Sequence, residues 1–133
     1  MEKYDVIIVG AGPCGIYSAY ELIKSKINLI ILLVDKVIYI YHRTCPILEW
    51  KIKQCPQDIY GNSGCFPSCS MTSGFGGCGA FSDGKFNITN EFGGWMQEYL
   101  PKDTVLDLIK YVDKINLAHG APEELTNPNT KEI

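Results

Sequence analysis

The chain has 133 residues, 46% of them hydrophobic and 20% charged, which suits one globular domain with a real core and excludes a disordered chain. A formal net charge of −3 gives no electrostatic case for a nucleic-acid partner, whose binders are usually basic, and there is no long like-charge run. The longest apolar stretch, INLIILLV at 27–34, is too short to span a bilayer and runs into Asp35 and Lys36, so no membrane partner is expected. Glu2, Lys3 and Asp5 precede the first short apolar run, which is not the pattern of a signal peptide, and a cytoplasmic location is the expectation.

In chain order, YDVIIVG (4–10) is a β-branched run closed by glycine and reads as a buried strand. PCGIYSAYELIKSK (13–26) follows with Ile16, Ala19, Tyr20 and Ile23 at helical spacing. Pro13 stands where a first turn tolerates proline, and Lys24 and Lys26 suit the negative end of the helix dipole. LIILLVDK (29–36) reads as a second buried strand, so the first 36 residues predict a βαβ unit with a parallel pair and a right-handed crossover.

Beyond Lys36 the pattern loses its period, and 37–56 predicts irregular chain with short helical or extended pieces. Residues 57–69 carry the turn signals Gly61, Gly64 and Pro67. A glycine-rich run follows, SGFGGCGAFSDGKFN at 73–87, and then a short helix is expected within 90–100. The clearest amphipathic helix is 103–120, with Val105, Leu108, Ile109, Val112 and Ile115 on one face, Asp103 as its cap and Gly120 as its end. The expected division is a domain over 1–120 and a polar linker over 121–133.

GAGPCG at 10–15 is a G-x-G-x-x-G motif, weak alone but here placed between a strand and a helix. Asp35, with Lys36 beside it, ends the second strand near the spacing that the dinucleotide fingerprint requires. The chemistry assigns each residue a task. Gly10 permits the tight turn out of the strand, Gly12 leaves the backbone open to a pyrophosphate, and Gly15 lets the helix pack closely on the sheet. The helix start beginning at Pro13 then presents N–H groups and a positive dipole end to phosphate. Asp35 is expected to accept from ribose hydroxyls and to repel a 2′-phosphate, which favours FAD or NAD over NADP. The fingerprint alone does not separate FAD from NAD.

YDVIIVGAGPCGIYSAYEL resembles the N-terminus of FAD-dependent oxidoreductases with a glutathione-reductase-like Rossmann domain. HRTCPILE (42–49), SGFGGCGAFSDGKFNITNEFGGW (73–95) and YVDKINLAHGAP (111–122) are similar to a bacterial group of FAD-dependent dehydrogenases. The resemblance implies an α/β Rossmann-type fold, incomplete here, because members of that group are longer. They close their FAD site near the C-terminus and carry a substrate domain between. The chain is therefore expected to be the N-terminal, FAD-binding portion of a flavin-dependent oxidoreductase of unassigned substrate, not active by itself. The resemblance also places the second glycine run beside flavin and pyrophosphate. Gly76, Gly77 and Gly79 would let the backbone approach the ligand, Ser82 offers a hydroxyl, and Lys85 a positive charge. Asp83 with Gly84 is also a plain turn pair. Phe75, Phe81 and Phe86 among the glycines argue against an exposed linker.

The family pattern has small residues where this chain has Cys14 and Cys78, and both are expected to be buried, inert thiols. Cys45, Cys55, Cys65 and Cys69 could hold zinc or an iron–sulfur cluster, but no C-x-x-C pair is present, and structural thiols are the preferred reading. His42 and His119 have no recognisable catalytic partner, and Trp50 and Trp95 read as packing residues. An NAD-dependent dehydrogenase fragment, a non-catalytic cysteine-rich metal-binding module and a chain that binds nothing remain as alternatives.

Overall fold

A computed structural model describes residues 2–25, 28–36, 39–55, 69–82, 84–91 and 94–123. Among the described residues the fold is mixed α/β, with a two-stranded parallel sheet and two α-helices, and the chain divides into units Met1–Asp83 and Gly84–Ile133. Residues 57–68, where turns were expected, and 124–133, most of the expected linker, lie outside the described residues.

In the first unit, β1 (Val6–Val9) pairs in parallel with β2 (Ile31–Val34), Val6 opposite Ile31 and Val9 opposite Val34. Asp5 sets the start of this register. Its N–H donates to the Ile30 carbonyl at 2.9 Å, and its Oδ2 accepts the Ile30 N–H at 2.8 Å. At the other end the Gly10 N–H donates to the Val34 carbonyl at 2.7 Å, so both strands stop together where the glycine turn begins. Helix α1 (Pro13–Lys24) follows that turn, with proline in its first turn as the sequence predicts. It ends at Ser25, whose N–H reaches the Glu21 carbonyl and whose Oγ donates to the Leu22 carbonyl. The parallel βαβ order therefore matches the expectation, with strands shorter by a few residues.

The strands are not buried as expected. Ile7 is 60% exposed and Val9 83%, while the alternating Val6 and Ile8 are partly covered. A pleated strand sends alternate side chains to opposite faces, and α1 covers one face only. Later, Ile40–His42 forms a single 3-10 turn inside the stretch predicted as irregular, and Gly77–Phe81 forms another within the glycine run.

In the second unit the helix expected within 90–100 is one 3-10 turn, Met96–Glu98. Helix α2 (Lys102–Ala118) matches the predicted amphipathic helix, burying Val105 and Ile115. Leu108, expected on the same face, is 43% exposed. Asp103 lies inside the first turn, beside the positive end of the dipole, but does not cap the helix: Pro101 is the N-cap and no side chain closes it. Lys102 pairs with Glu91 at 3.2 Å. At the C-terminus Gly120 takes a positive φ of 96°, and Ala121 N–H returns to the Asn116 carbonyl. His119 Nδ1 lies 2.7 Å from the Ile115 carbonyl oxygen, a helix-end contact that makes Nδ1 the donor.

No helix of the described residues is long and apolar enough to cross a membrane.

Candidate functional site

The candidate site is built where β1 gives way to α1. Gly10 leaves the strand at φ 103°, a conformation that side-chain-bearing residues rarely adopt. Gly15 is required for a different reason. A Cβ there would stand 1.9 Å from the Gly10 carbonyl oxygen and 3.3 Å from Ile8 Cγ2, so the helix lies on the strand with no room for a methyl group. Gly12 is required by neither. Its φ of −74° and ψ of −178° suit any residue, and an added Cβ would meet nothing within 4 Å. As the N-cap of α1 it supplies no side-chain acceptor, and no acidic residue occupies the first turn. The uncapped N–H groups and the positive dipole end of α1 together form an anion-favouring edge.

Asp35 closes this turn from the end of β2. Its Oδ2 accepts the N–H of Ala11 at 2.7 Å, and Ala11 is only 2% exposed. The carboxylate predicted to face a ribose is thus also the acceptor for a buried amide of the first glycine turn. Lys36, the next residue, is exposed.

The second glycine run docks on the first. The Gly76 N–H donates to the Ala11 carbonyl at 2.7 Å. A Cβ on Gly77 would meet Pro13 Cδ at 3.3 Å and Gly12 Cα at 3.7 Å. Ala11 therefore has its N–H held by Asp35 and its carbonyl held by Gly76, which joins the two motifs through one buried residue. Gly79 sits in the 3-10 turn with open space where a Cβ would project, and Ser82 follows that turn, its N–H on the Gly79 carbonyl. The structure thus brings Gly10, Gly12, Pro13, Gly15, Asp35, Gly76 and Gly77 together, with Gly79 and Ser82 continuing from them in the chain. Lys85 belongs to the second unit and is exposed there.

Sequence reasoning missed Arg43. It is 5% exposed, and its guanidinium serves four backbone carbonyls of the glycine run and the turn before it. Nε donates to Ser70 at 2.7 Å, Nη1 to Phe75 at 2.7 Å, and Nη2 to Met71 at 3.1 Å and Gly77 at 2.9 Å. The Phe81 ring centroid lies 4.7 Å from Arg43 Cζ, a cation–π contact that gives one interleaved phenylalanine a structural task. The one available signal was the presence of Arg43 in the run HRTCPILE, whose own residues name no partner for it.

The thiols depart from expectation. Cys14 and Cys78 are both exposed rather than buried, because one stands on the open first turn of α1 and the other on the 3-10 turn. Cys45, Cys55 and Cys69 are half-buried and unbridged, and Cys65 lies outside the described residues. Among the described residues no three His, Cys, Asp or Glu side chains converge as a metal site. Trp50 and Trp95, expected to pack, are 93% and 77% exposed. Trp50 also takes a positive φ of 58° in its turn.

Cys69 has neighbours that favour its thiolate. The Met71 backbone N–H donates to its sulfur and holds the thiol below its ordinary range; Thr72 and the Arg43 charge act the same way, and partial burial opposes them. The thiolate is the nucleophile. Alkylation of Cys69 by iodoacetamide is therefore expected to rise at lower pH in the folded chain than in the urea-unfolded chain. Peptide mapping across a pH series measures this, and a folded-state midpoint at or above the unfolded one would contradict it. By linkage, the stability tied to this thiolate is fully present above the unfolded thiol's pKa and is lost as pH falls through the folded value.

No family model matches the chain, and no solved structure matches it significantly. An uncharacterized protein of Methanosarcina barkeri (strain Fusaro) is 53% identical over 45 residues, a segment covering 34% of this chain and 11% of that protein. The chain therefore matches only a small part of that relative's length.

Proposed function

We propose that the chain is the N-terminal part of a Rossmann-type FAD-binding domain and belongs to a flavin-dependent oxidoreductase. One observation carries this reading: Gly12 and Gly79 have no internal reason to be glycine, since each leaves open space where a Cβ would project. Glycine costs backbone entropy on folding, so Gly12 at an uncapped helix start, with Gly79 two residues beyond the Gly77 that packs on it, fits a ligand that approaches the backbone. The pairing of two glycine turns through Ala11 supports a cradle rather than a linker.

On this reading Gly10, Gly12 and Pro13 line the pyrophosphate, and Asp35 accepts from the adenosine ribose. Gly76, Gly77, Gly79 and Ser82 form the second wall. FAD, when bound, supplies hydride and electron transfer; the chain's residues bind and orient it. FAD is preferred over NAD because of the second glycine run, which the fingerprint alone does not demand.

The test is a thermal melt of the purified chain with and without FAD, alongside its visible spectrum. Binding at a hundredfold excess over Kd adds about 2.7 kcal/mol of apparent stability, readily visible as a raised melting temperature. A colourless protein whose melting temperature is unmoved by FAD sinks the proposal. A response to NAD and not to FAD would move the reading to a nicotinamide enzyme.

A further inference from the structure

We propose that Arg43 is a positioning residue: it clamps the second glycine run against the first glycine turn and so sets ligand affinity through the loop. The role in ligand affinity rests on the flavin reading, whereas the clamp stands on geometry alone. Residues 69–77 lack the pairing that holds a strand or an α-helix, and glycines make an ordered conformation costly. Something must offset that cost.

Arg43 is the group placed to do so. Its three nitrogens reach carbonyls at Ser70, Met71, Phe75 and Gly77, which brackets the run from before its first glycine to its docking point. These donors radiate from one rigid plane, so satisfying all four carbonyls fixes their mutual spacing. The acceptors are backbone atoms, and Gly77, one of them, stands against Pro13 and Gly12. Gly76, directly before it, holds Ala11. Release of the guanidinium would free the segment that carries both docking contacts. Burial to 5% exposure removes water as a substitute donor, so a neutral side chain in its place leaves several carbonyls without partners.

The test compares Arg43→Met, Arg43→Lys and the parent chain by amide hydrogen exchange and by FAD titration. The Gly10 amide, paired with Val34 in the sheet, reports the βαβ unit; the Gly76 amide, paired with Ala11, reports the clamp. Arg43→Met is expected to lose protection at Gly76 while Gly10 keeps it, and to weaken FAD binding on the order of ten- to a hundredfold. Arg43→Lys keeps the charge but not the fork and is expected to recover only part of both. Parent-like protection at Gly76 in Arg43→Met overturns the clamp. Lost protection with unchanged FAD affinity overturns its role in binding. Should Arg43→Met fail to fold, Arg43→Lys decides by the same two readouts, parent-like values in both overturning the proposal. A parent chain that binds no FAD defeats the flavin reading, and the clamp is then judged on Gly76 protection.

Discussion

Gly15→Ala is expected to remove most of the stability of the βαβ unit. The substitution acts against its own intrinsic tendency, since alanine favours an α-helix interior over glycine by about 1 kcal/mol. The obstacle is steric. The new methyl carbon would stand 1.9 Å from the Gly10 carbonyl oxygen and 3.1 Å from its carbonyl carbon, so relief requires α1 to move off β1 by more than an ångström. A flexible side chain could yield, but Gly10 is backbone, held in the sheet by its N–H on Val34. Overpacking a core costs roughly 1–3 kcal/mol even where side chains can adjust, and a backbone obstacle puts this case near or above the upper end. A domain stabilised by roughly 0.1 kcal/mol per residue has little margin for that loss. Far-UV circular dichroism melts should show a fall of roughly 10–20 °C. Ser18→Ala, at an exposed position of the same helix, is the control and should melt like the parent or slightly higher. A Gly15→Ala melt within a few degrees of the parent would show that helix and strand do not touch as described.

Gly12→Val is expected to do the reverse, leaving the fold and removing the ligand. Valine accepts the local φ and ψ, and its side chain meets no atom of the chain near Cβ. Replacing glycine at an N-cap by an aliphatic residue costs about 1 kcal/mol, so the melting temperature should drop only slightly. The isopropyl group would fill the space proposed for the pyrophosphate, and FAD affinity should fall about a hundredfold, near 2.7 kcal/mol. Gly12→Ser, a good cap with a smaller side chain, should fall between. If the valine variant binds FAD as tightly as the parent, the phosphate does not lie over Gly12. Together the two variants test the proposed division of labour, in which Gly15 serves the packing of helix on strand and Gly12 serves the ligand.

The βαβ unit was legible because its signals are local. Two β-branched runs, a helical spacing of Ile16, Ala19, Tyr20 and Ile23, and Pro13 at the helix start each act within a few residues, and the structure follows them. Strand burial was not legible, because it depends on what covers each face. Ile7 and Val9 have the composition of buried residues and stand exposed on the face that α1 does not cover. Arg43 was hidden for another reason. Its partners are main-chain carbonyls 27 to 34 residues later, and a carbonyl has no letter in the sequence. Cys14 and Cys78 are exposed although their residue type is commonly buried, because size alone does not set burial and both stand on the open sides of turns.

If the proposed cofactor site holds, the bond from Ala11 to Asp35 bears on any attempt to redesign cofactor preference. The usual exchange admits a 2′-phosphate by replacing the acidic residue with a neutral or basic one. Here that carboxylate is the acceptor for the N–H of Ala11, a residue only 2% exposed, and the same residue's carbonyl receives the second glycine run. On the proposed FAD reading, selectivity and turn integrity would be vested in a single side chain. A change at Asp35 alone would trade one for the other, so a successful redesign must bring a second acceptor for Ala11 along with it.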